Sequence, residues 1–309
     1  MLGSWAEQVI EKEGISYPSG QLRQLLSRAD IVFANLEAPF GTDGAPFPKR
    51  FSFRVKPDLV RVLSAAGINL VSLANNHIMD FGRESLLKTI AVLDEAQIRH
   101  AGAAMDGEKA CAPLFFQERG KKIAFFSYSL TFPQEFWATD SSAGTCFPAA
   151  EHVFKDIARA RQVADYVIVS CHWGEELMTA PKEYQVTLAH QFIDKGVDLI
   201  IGHHPHVVQG IEIYHEKPIV YSLGNFIFGS YSENVRQSML VKFVLAGKSD
   251  FSGEIIPLNV YNKELDFQPR VLEGRQKEDF LEYVQKLSGE LPGNPIVITK
   301  MGKIRIKKN

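Results

Sequence analysis

Five histidines, together with nearby Asn, Glu and Asp residues, hold the positions where this chain could do chemistry. Gly202-His203-His204-Pro205-His206 places three imidazoles within four positions, directly after the apolar residues Val197, Leu199, Ile200 and Ile201. Residues i and i+2 of a strand share a face, so an extended backbone would let His204 and His206 aim two nitrogens at one point. Neutral imidazole is the commonest protein ligand for Zn, Mn, Fe and Ni, and chelation is the chemistry this spacing offers. A single histidine here would read as a hydrogen-bonded core residue. Three at the carboxyl end of a strand, where ligands gather in α/β sheets, point to a metal.

Three more apolar runs end in ligand-type residues. His172 closes Tyr166-Val167-Ile168-Val169-Ser170-Cys171, with Glu175 shortly after it. Asn75-Asn76-His77 follows Leu70-Val71-Ser72-Leu73-Ala74, with Asp80 and Gly82 beyond. Asn35-Leu36-Glu37 follows Ile31-Val32-Phe33-Ala34. Strands of a parallel sheet would bring these ends to one edge. Mixed oxygen and nitrogen donors from Glu37, Asn76, His172, His204 and His206 suit Mn, Fe or Zn. They would hold two divalent ions about 4 Å apart, bridged by a carboxylate and a water. His77, if the chain turns there, would face substrate as general acid for the leaving group, oriented by Asp80.

The elements that must carry these residues alternate. Helices are expected over Gln21 to Arg28, Asp58 to Ala66 (behind Pro57), Gly82 to Ala96, Ala149 to Val163 and Glu183 to Lys195. Strands are expected at the four apolar runs, at Ile123 to Leu130 and at Lys217 to Phe226. The Gly- and Pro-rich stretch Gly41 to Pro48 is a loop near the site. Beyond Phe226 the pattern becomes β-rich, with an antiparallel pair at Ser238 to Leu245 and Gly253 to Tyr261. A short helix (Lys277 to Leu287) and a lysine-guarded edge strand from Gly302 follow. No repeat or linker interrupts the chain, so one α/β domain over residues 1–309 is expected, with a core at 1–245 and a β-rich extension at 246–309.

Composition narrows the class. A content of 45% hydrophobic and 23% charged residues is that of a soluble globular protein. A formal charge of −2 gives no reason to expect nucleic acid or an anionic membrane. Cys111, Cys146 and Cys171 are odd in number and widely spaced, so no disulfide framework is expected, and Cys171 reads as a buried inert thiol. No run of 18 apolar residues and no signal-peptide pattern occurs, so the chain as given is expected to be cytoplasmic, with an upstream anchor left open.

Five ordered motifs carry a resemblance: Asn35-Leu36-Glu37-Ala38-Pro39, Leu73 to Gly82, His172-Trp173-Gly174-Glu175-Glu176, Gly202 to His206, and Ser222 to Phe228. Over about residues 1 to 245 the chain resembles the CapA-type capsule and poly-gamma-glutamate biosynthesis family. That family is similar in fold to the calcineurin-like metallophosphoesterases, which implies a four-layer α/β/β/α sandwich. The resemblance implies Glu37 as bridging carboxylate, Asn76 as asparagine ligand and His77 as proton donor, with His172 and the His204/His206 pair as the later histidine ligands. Asn35, Asn75, Glu175, His203 and Asn225 are expected to face substrate, although Asn225 after Gly224 also suits a plain turn. Family members begin with a strand ending in Gly-Asp ahead of Met-Leu-Gly. Met1-Leu2-Gly3 therefore suggests that an upstream strand with a further metal-binding aspartate belongs before this sequence.

Two functions remain open at this point. One is a metal-dependent hydrolase acting on a phosphoester or an anionic polymer, alongside other capsule-synthesis proteins. The other is a non-catalytic protein that binds such a polymer with part of the site. A TIM-barrel metal hydrolase also places His-X-His at a strand end, but on its first strand and not after most of the sheet.

Overall fold

The computed structural model describes residues 2–3, 5–148, 151–245, 251–293 and 295–306. The first third of the chain supplies α1 (Trp5–Glu13), α2 (Arg23–Leu26), β1 (Phe33–Asn35), α3 (Val60–Ala65), β2 (Leu70–Ser72), α4 (Gly82–Glu95) and β3 (Arg99–Ala101). Next come β4 (Ala103–Ala104), α5 (Gly107–Cys111), β5 (Leu114–Glu118), β6 (Lys121–Ser129), β7 (Gly144–Thr145) and α6 (Glu151–Val163). The region of the histidine motifs holds β8 (Tyr166–His172), α7 (Glu183–Asp194), β9 (Leu199–His203), β10 (Ile211–Tyr214) and β11 (Lys217–Val220). The last part supplies β12 (Gln237–Leu245), β13 (Phe251–Asn259), α8 (Asn262–Leu265), β14 (Arg270–Val271), α9 (Gly274–Gly289), β15 (Ile296–Ile298) and β16 (Lys303–Ile306).

Two sheets face each other. β1, β2 and β3 pair in parallel. A six-stranded sheet runs β10-β11-β9-β8-β6-β5, with β6, β8, β9 and β11 parallel and antiparallel strands at both edges. Along β8 the side chains alternate between two apolar layers, as the two-residue period of a strand requires. Tyr166 and Ile168 pack with Phe125, Leu199, Leu70 and Ala101 between the sheets. Val167, Val169 and Cys171 pack on the other face under Val153 and Ile157 of α6 and Phe192 of α7. Every residue of β8 is buried, which is why its sequence is apolar without alternation. On the far side Ile10, Val62, Leu86 and Leu93 from α1, α3 and α4 cover Val71 and Leu73. The layers run helix, sheet, sheet, helix: the expected α/β/β/α sandwich.

A third sheet, β12-β13-β16-β15 with β14 on β13, is antiparallel. Its Met239, Ile255 and Ile304 share a core with Phe280 and Val284 of α9 and with Ile211 and Val220 of the six-stranded sheet. Fully burying side chains of this size is worth about 1.5–3 kcal/mol each, so the three sheets are held by continuous apolar contact.

The structure departs from the sequence expectations at several points. The strand expected to reach Phe226 ends at Val220, because Ser222 Oγ donates to Val207 O at 2.7 Å and the chain bends toward the histidine loop. The first expected helix shrinks to four residues, and α9 starts three residues early. The expectation of unpaired cysteines is corrected: Cys111 and Cys146 form a disulfide, and Cys171 is the free, buried thiol. The β4–β7 ladder pairs Ala103 with Thr145, and Cys146 N donates to Gly102 O at 2.9 Å. That ladder sets Cys146 beside the end of α5, a proximity invisible in a spacing of 35 residues. Met1, Ala149, Ala150 and Lys307 to Asn309, part of the expected opening motif, helix and edge strand, lie outside the described residues.

Candidate metal centre and catalytic pair

The carboxyl end of the first sheet builds one half of the site. Asn35 ends β1, and its Nδ2 donates to Glu37 Oε2 at 3.0 Å. Glu37 is buried, and its other oxygen, Oε1, has no hydrogen-bond partner. Asn75, fully buried, spends its amide on the fold. Its Nδ2 donates to Leu36 O at 2.8 Å and to Asn35 Oδ1 at 3.2 Å, while Oδ1 accepts from His77 N at 3.1 Å and Ile78 N at 3.0 Å. Such a side-chain cap pins a tight turn, and it is this turn that presents Asn76 and His77.

Within the turn, His77 Nδ1 lies 2.8 Å from Asp80 Oδ2. A carboxylate only accepts, so the imidazole donates from Nδ1 and leaves Nε2 as the nitrogen free to exchange a proton. Asp80 Oδ2 also accepts from Phe53 N at 2.6 Å, and the Phe53 ring lies 4.7 Å from the His77 ring. Lys49 completes the cluster, with Nζ 2.5 Å from Asp80 Oδ1.

The second sheet supplies the other half. His172, the last residue of β8, is buried, and its Nε2 lies 2.9 Å from Asn76 Oδ1, 3.1 Å from His204 Nδ1 and 3.6 Å from Glu37 Oε1. The extended geometry expected for His204 and His206 is corrected. β9 ends at His203, and His204 and His206 adopt left-handed backbone, with φ of 102° and 60°. Non-glycine residues reach that region only where surrounding structure holds them, and such strain gathers at functional sites. His206 Nε2 lies 3.9 Å from Glu37 Oε1, and its Nδ1 lies 2.8 Å from Asn225 Oδ1. Gly202 permits the close packing beneath this loop, because a Cβ there would lie 2.0 Å from Tyr221 O.

Burial keeps the His172 and His204 imidazoles uncharged. Desolvation first, then the neighbouring histidines, lowers the His172 pKa well below its usual value. The same causes, burial before His206 and His77, lower that of His204 to about 3. Neutral rings keep a lone pair for a cation. Glu37, His172 and His204 each offer a donor atom, all within 4.8 Å of one another. Two donors about 2.1 Å from a shared ion stand roughly 3.0–3.4 Å apart, close to the observed 3.1 Å between His172 and His204. The unpartnered Glu37 Oε1, aimed at neutral imidazoles, is what a divalent cation would satisfy.

Of the sequence-predicted residues, Glu37, Asn76, His77, Asp80, His172, His204 and His206 come together, with Asn35 and Asn225 bonded behind them. Glu175 does not join them: it is exposed and pairs with Lys182 at 2.5 Å. His203 points between the sheets, its ring 5.5 Å from Phe33 and its Nε2 without a partner. Sequence reasoning missed Lys49 and Phe53. The available signal was their position just after Pro48, at the end of the Gly- and Pro-rich loop.

The sandwich has a metallophosphoesterase-like fold, and its Glu37, His172 and His204 donors lie close enough together to hold a metal ion. The chain belongs to the bacterial capsule synthesis protein PGA_cap family, whose family model matches residues 1–230. It is 29% identical to the capsule biosynthesis protein CapA of Bacillus anthracis, over 84% of this chain and 65% of that protein. Identity is also 29% to the PGA biosynthesis protein CapA of Bacillus subtilis, over 84% of this chain and 70% of that one. The chain thus spans about two thirds of the length of the curated relatives it matches. Among solved structures, the sulfate thiohydrolase SoxB of Thermus thermophilus superposes with a TM-score of 0.50 at 15% identity, over 82% of this chain and 44% of that one, which shows a shared fold.

Proposed function

We propose that this protein is a metal-dependent hydrolase of the metallophosphoesterase fold that works in capsule or poly-gamma-glutamate synthesis. The observation that carries the reading is the unpartnered Glu37 Oε1 among neutral imidazoles, with a His77–Asp80 pair on the turn that Asn75 ties to Leu36. Glu37, Asn76, His172, His204 and His206 would hold the metal, either one ion or two, of Mn, Fe or Zn type. When bound, a divalent ion acts as a Lewis acid toward an ester oxygen and lowers the pKa of water. The chain's own residues do the rest. Asp80 fixes His77, and His77 in its imidazolium form, Nδ1–H on Asp80, gives its Nε2 proton to the departing oxygen and is left neutral, while the buried walls limit water. The names of the relatives, capsule and PGA biosynthesis proteins, support a polymer-related role, and the proposed substrate is an anionic polymer or phosphoester, with other capsule-synthesis proteins as proposed partners.

In this proposal residues 1–309 form one domain, and the core shared between the third sheet and the six-stranded sheet supports it. No helix among the described residues is long and apolar enough to cross a membrane. The Cys111–Cys146 bridge favours an oxidising compartment over the reducing cytoplasm first expected.

A second reading, polymer binding without turnover, is favoured by one observation: among the described residues the carboxylate and imidazole donors within 4.8 Å of one another come from Glu37, His172 and His204, a set that suits one ion. Metal analysis and turnover separate the two. Protein loaded with Mn²⁺ or Zn²⁺ should hydrolyse members of a phosphoester and polyglutamate panel. Polyglutamate binding with no hydrolysis across that panel would establish the second reading.

A further inference from the structure

We infer that Lys49 is a positioning residue that locks the His77–Asp80 pair, a role that rests on the hydrolase reading above. Its ammonium donates to Asn76 O at 2.5 Å, pairs with Asp80 Oδ1 at 2.5 Å and lies 3.1 Å from His77 Nδ1, which is itself the donor to Asp80. Lysine has three N–H donors and no acceptor, and two of them are committed to the turn, to Asn76 O and to Asp80 Oδ1. Held between the Asn76 carbonyl and the Asp80 carboxylate, Lys49 acts through the pair. Its side chain is only 17% exposed, and burial pushes its pKa down. Keeping an ammonium out of water is costly, and an apolar side chain of similar length would fill the same space without that penalty. What methionine could not do is hold Asp80.

The same loop grips the pair from a second side. Phe53 N takes Asp80 Oδ2, and the Phe53 ring packs on His77. With Oδ1 held by Lys49 and Oδ2 by Phe53, Asp80 cannot swing, and the imidazole it orients keeps one rotamer. Asn76, a proposed metal ligand, is tied to the same ammonium through its carbonyl. Lys49 thus couples the placement of the loop to the proton-transfer pair and to the metal-side asparagine.

The test is a double-mutant cycle on the full chain, loaded with Mn²⁺ and assayed with a phosphodiester. Lys49→Met should lower kcat about 10–100-fold, the cost of a small misplacement of a reacting group, with KM and metal content nearly unchanged. Lys49→Arg should recover part of the loss. In a His77→Ala background Lys49→Met should do nothing further, because the two act as a unit. Wild-type kcat in Lys49→Met, or an equal added loss in the His77→Ala background, overturns the proposal. Should methionine unfold the loop, Lys49→Gln takes its place. A second readout needs no turnover: the His77 Nδ1–H resonance of the metal-free protein, assigned by its loss in His77→Ala. It should shift or broaden in Lys49→Met and return in Lys49→Arg. An unchanged resonance also overturns the proposal, whereas a wild type inactive on every substrate sinks the hydrolase reading alone.

Discussion

His206 shows how one hydrogen bond can decide a ligand. A neutral imidazole carries one N–H and one lone pair. Asn225 Oδ1 accepts at Nδ1, so the lone pair sits on Nε2, the nitrogen facing Glu37. Partners that orient ligating histidines in this way typically matter by 10–100-fold in metal affinity. Asn225→Ala should weaken Mn²⁺ or Zn²⁺ binding by about that factor in a chelator competition, with the fold intact by circular dichroism. Unchanged affinity would return Asn225 to the substrate-facing role first expected. His77 and His204 should part company in the same assay. His204→Ala should lose the metal. His77→Ala should keep it and lose turnover by about 10²–10⁴-fold, the usual range for a positioned acid or base. Equal loss of metal in both would place His77 among the ligands.

Among the elements, legibility tracked burial. β8 and β9 were readable because strands covered on both faces must be apolar, and their carboxyl ends carry the histidines as expected. Elements stabilised by tertiary contact left little periodicity. α1, β5 and β10 were not foreseen, and α2 is shorter than its pattern. The pairing of His204 with His206 was anticipated for the wrong reason, since strand periodicity cannot report left-handed backbone in a loop. Lys49 was hidden because its partners lie 27 or more residues away. The disulfide was hidden for the same kind of reason, since it depends on a short ladder between β4 and β7. Cross-linking a loop of this length restricts the unfolded chain by about 3–4 kcal/mol. Cys146→Ser should therefore lower stability by roughly that amount in a denaturant titration, and reduced wild type should match the variant. A midpoint unaffected by either treatment would mean the bridge contributes nothing to stability.

At the scale of the molecule, the site is a seam between two sheets. Glu37 and Asn76 come from the ends of β1 and β2, whereas His172, His204 and His206 come from β8 and the loop after β9. Deeper in the sandwich the sheets meet through apolar side chains and through Ser72 Oγ, 2.6 Å from Ser127 Oγ. At the open end the contact is between polar groups with an unpartnered carboxylate oxygen. A cation there would tie the two sheets together as well as equip the site. Binding at 100 times the dissociation constant stabilises a fold by about 2.7 kcal/mol, which for a chain of this size raises Tm by roughly 5 °C. Chelation should reverse that shift. Amide exchange should then speed up at residues 35–37, 75–77, 172–173 and 203–206, while β15 and β16, whose Ile296 and Ile304 pack in the core around α9, stay protected. Exchange that rises evenly over all three sheets, or a Tm indifferent to chelator, would mean that no metal bridges the two sheets of the seam.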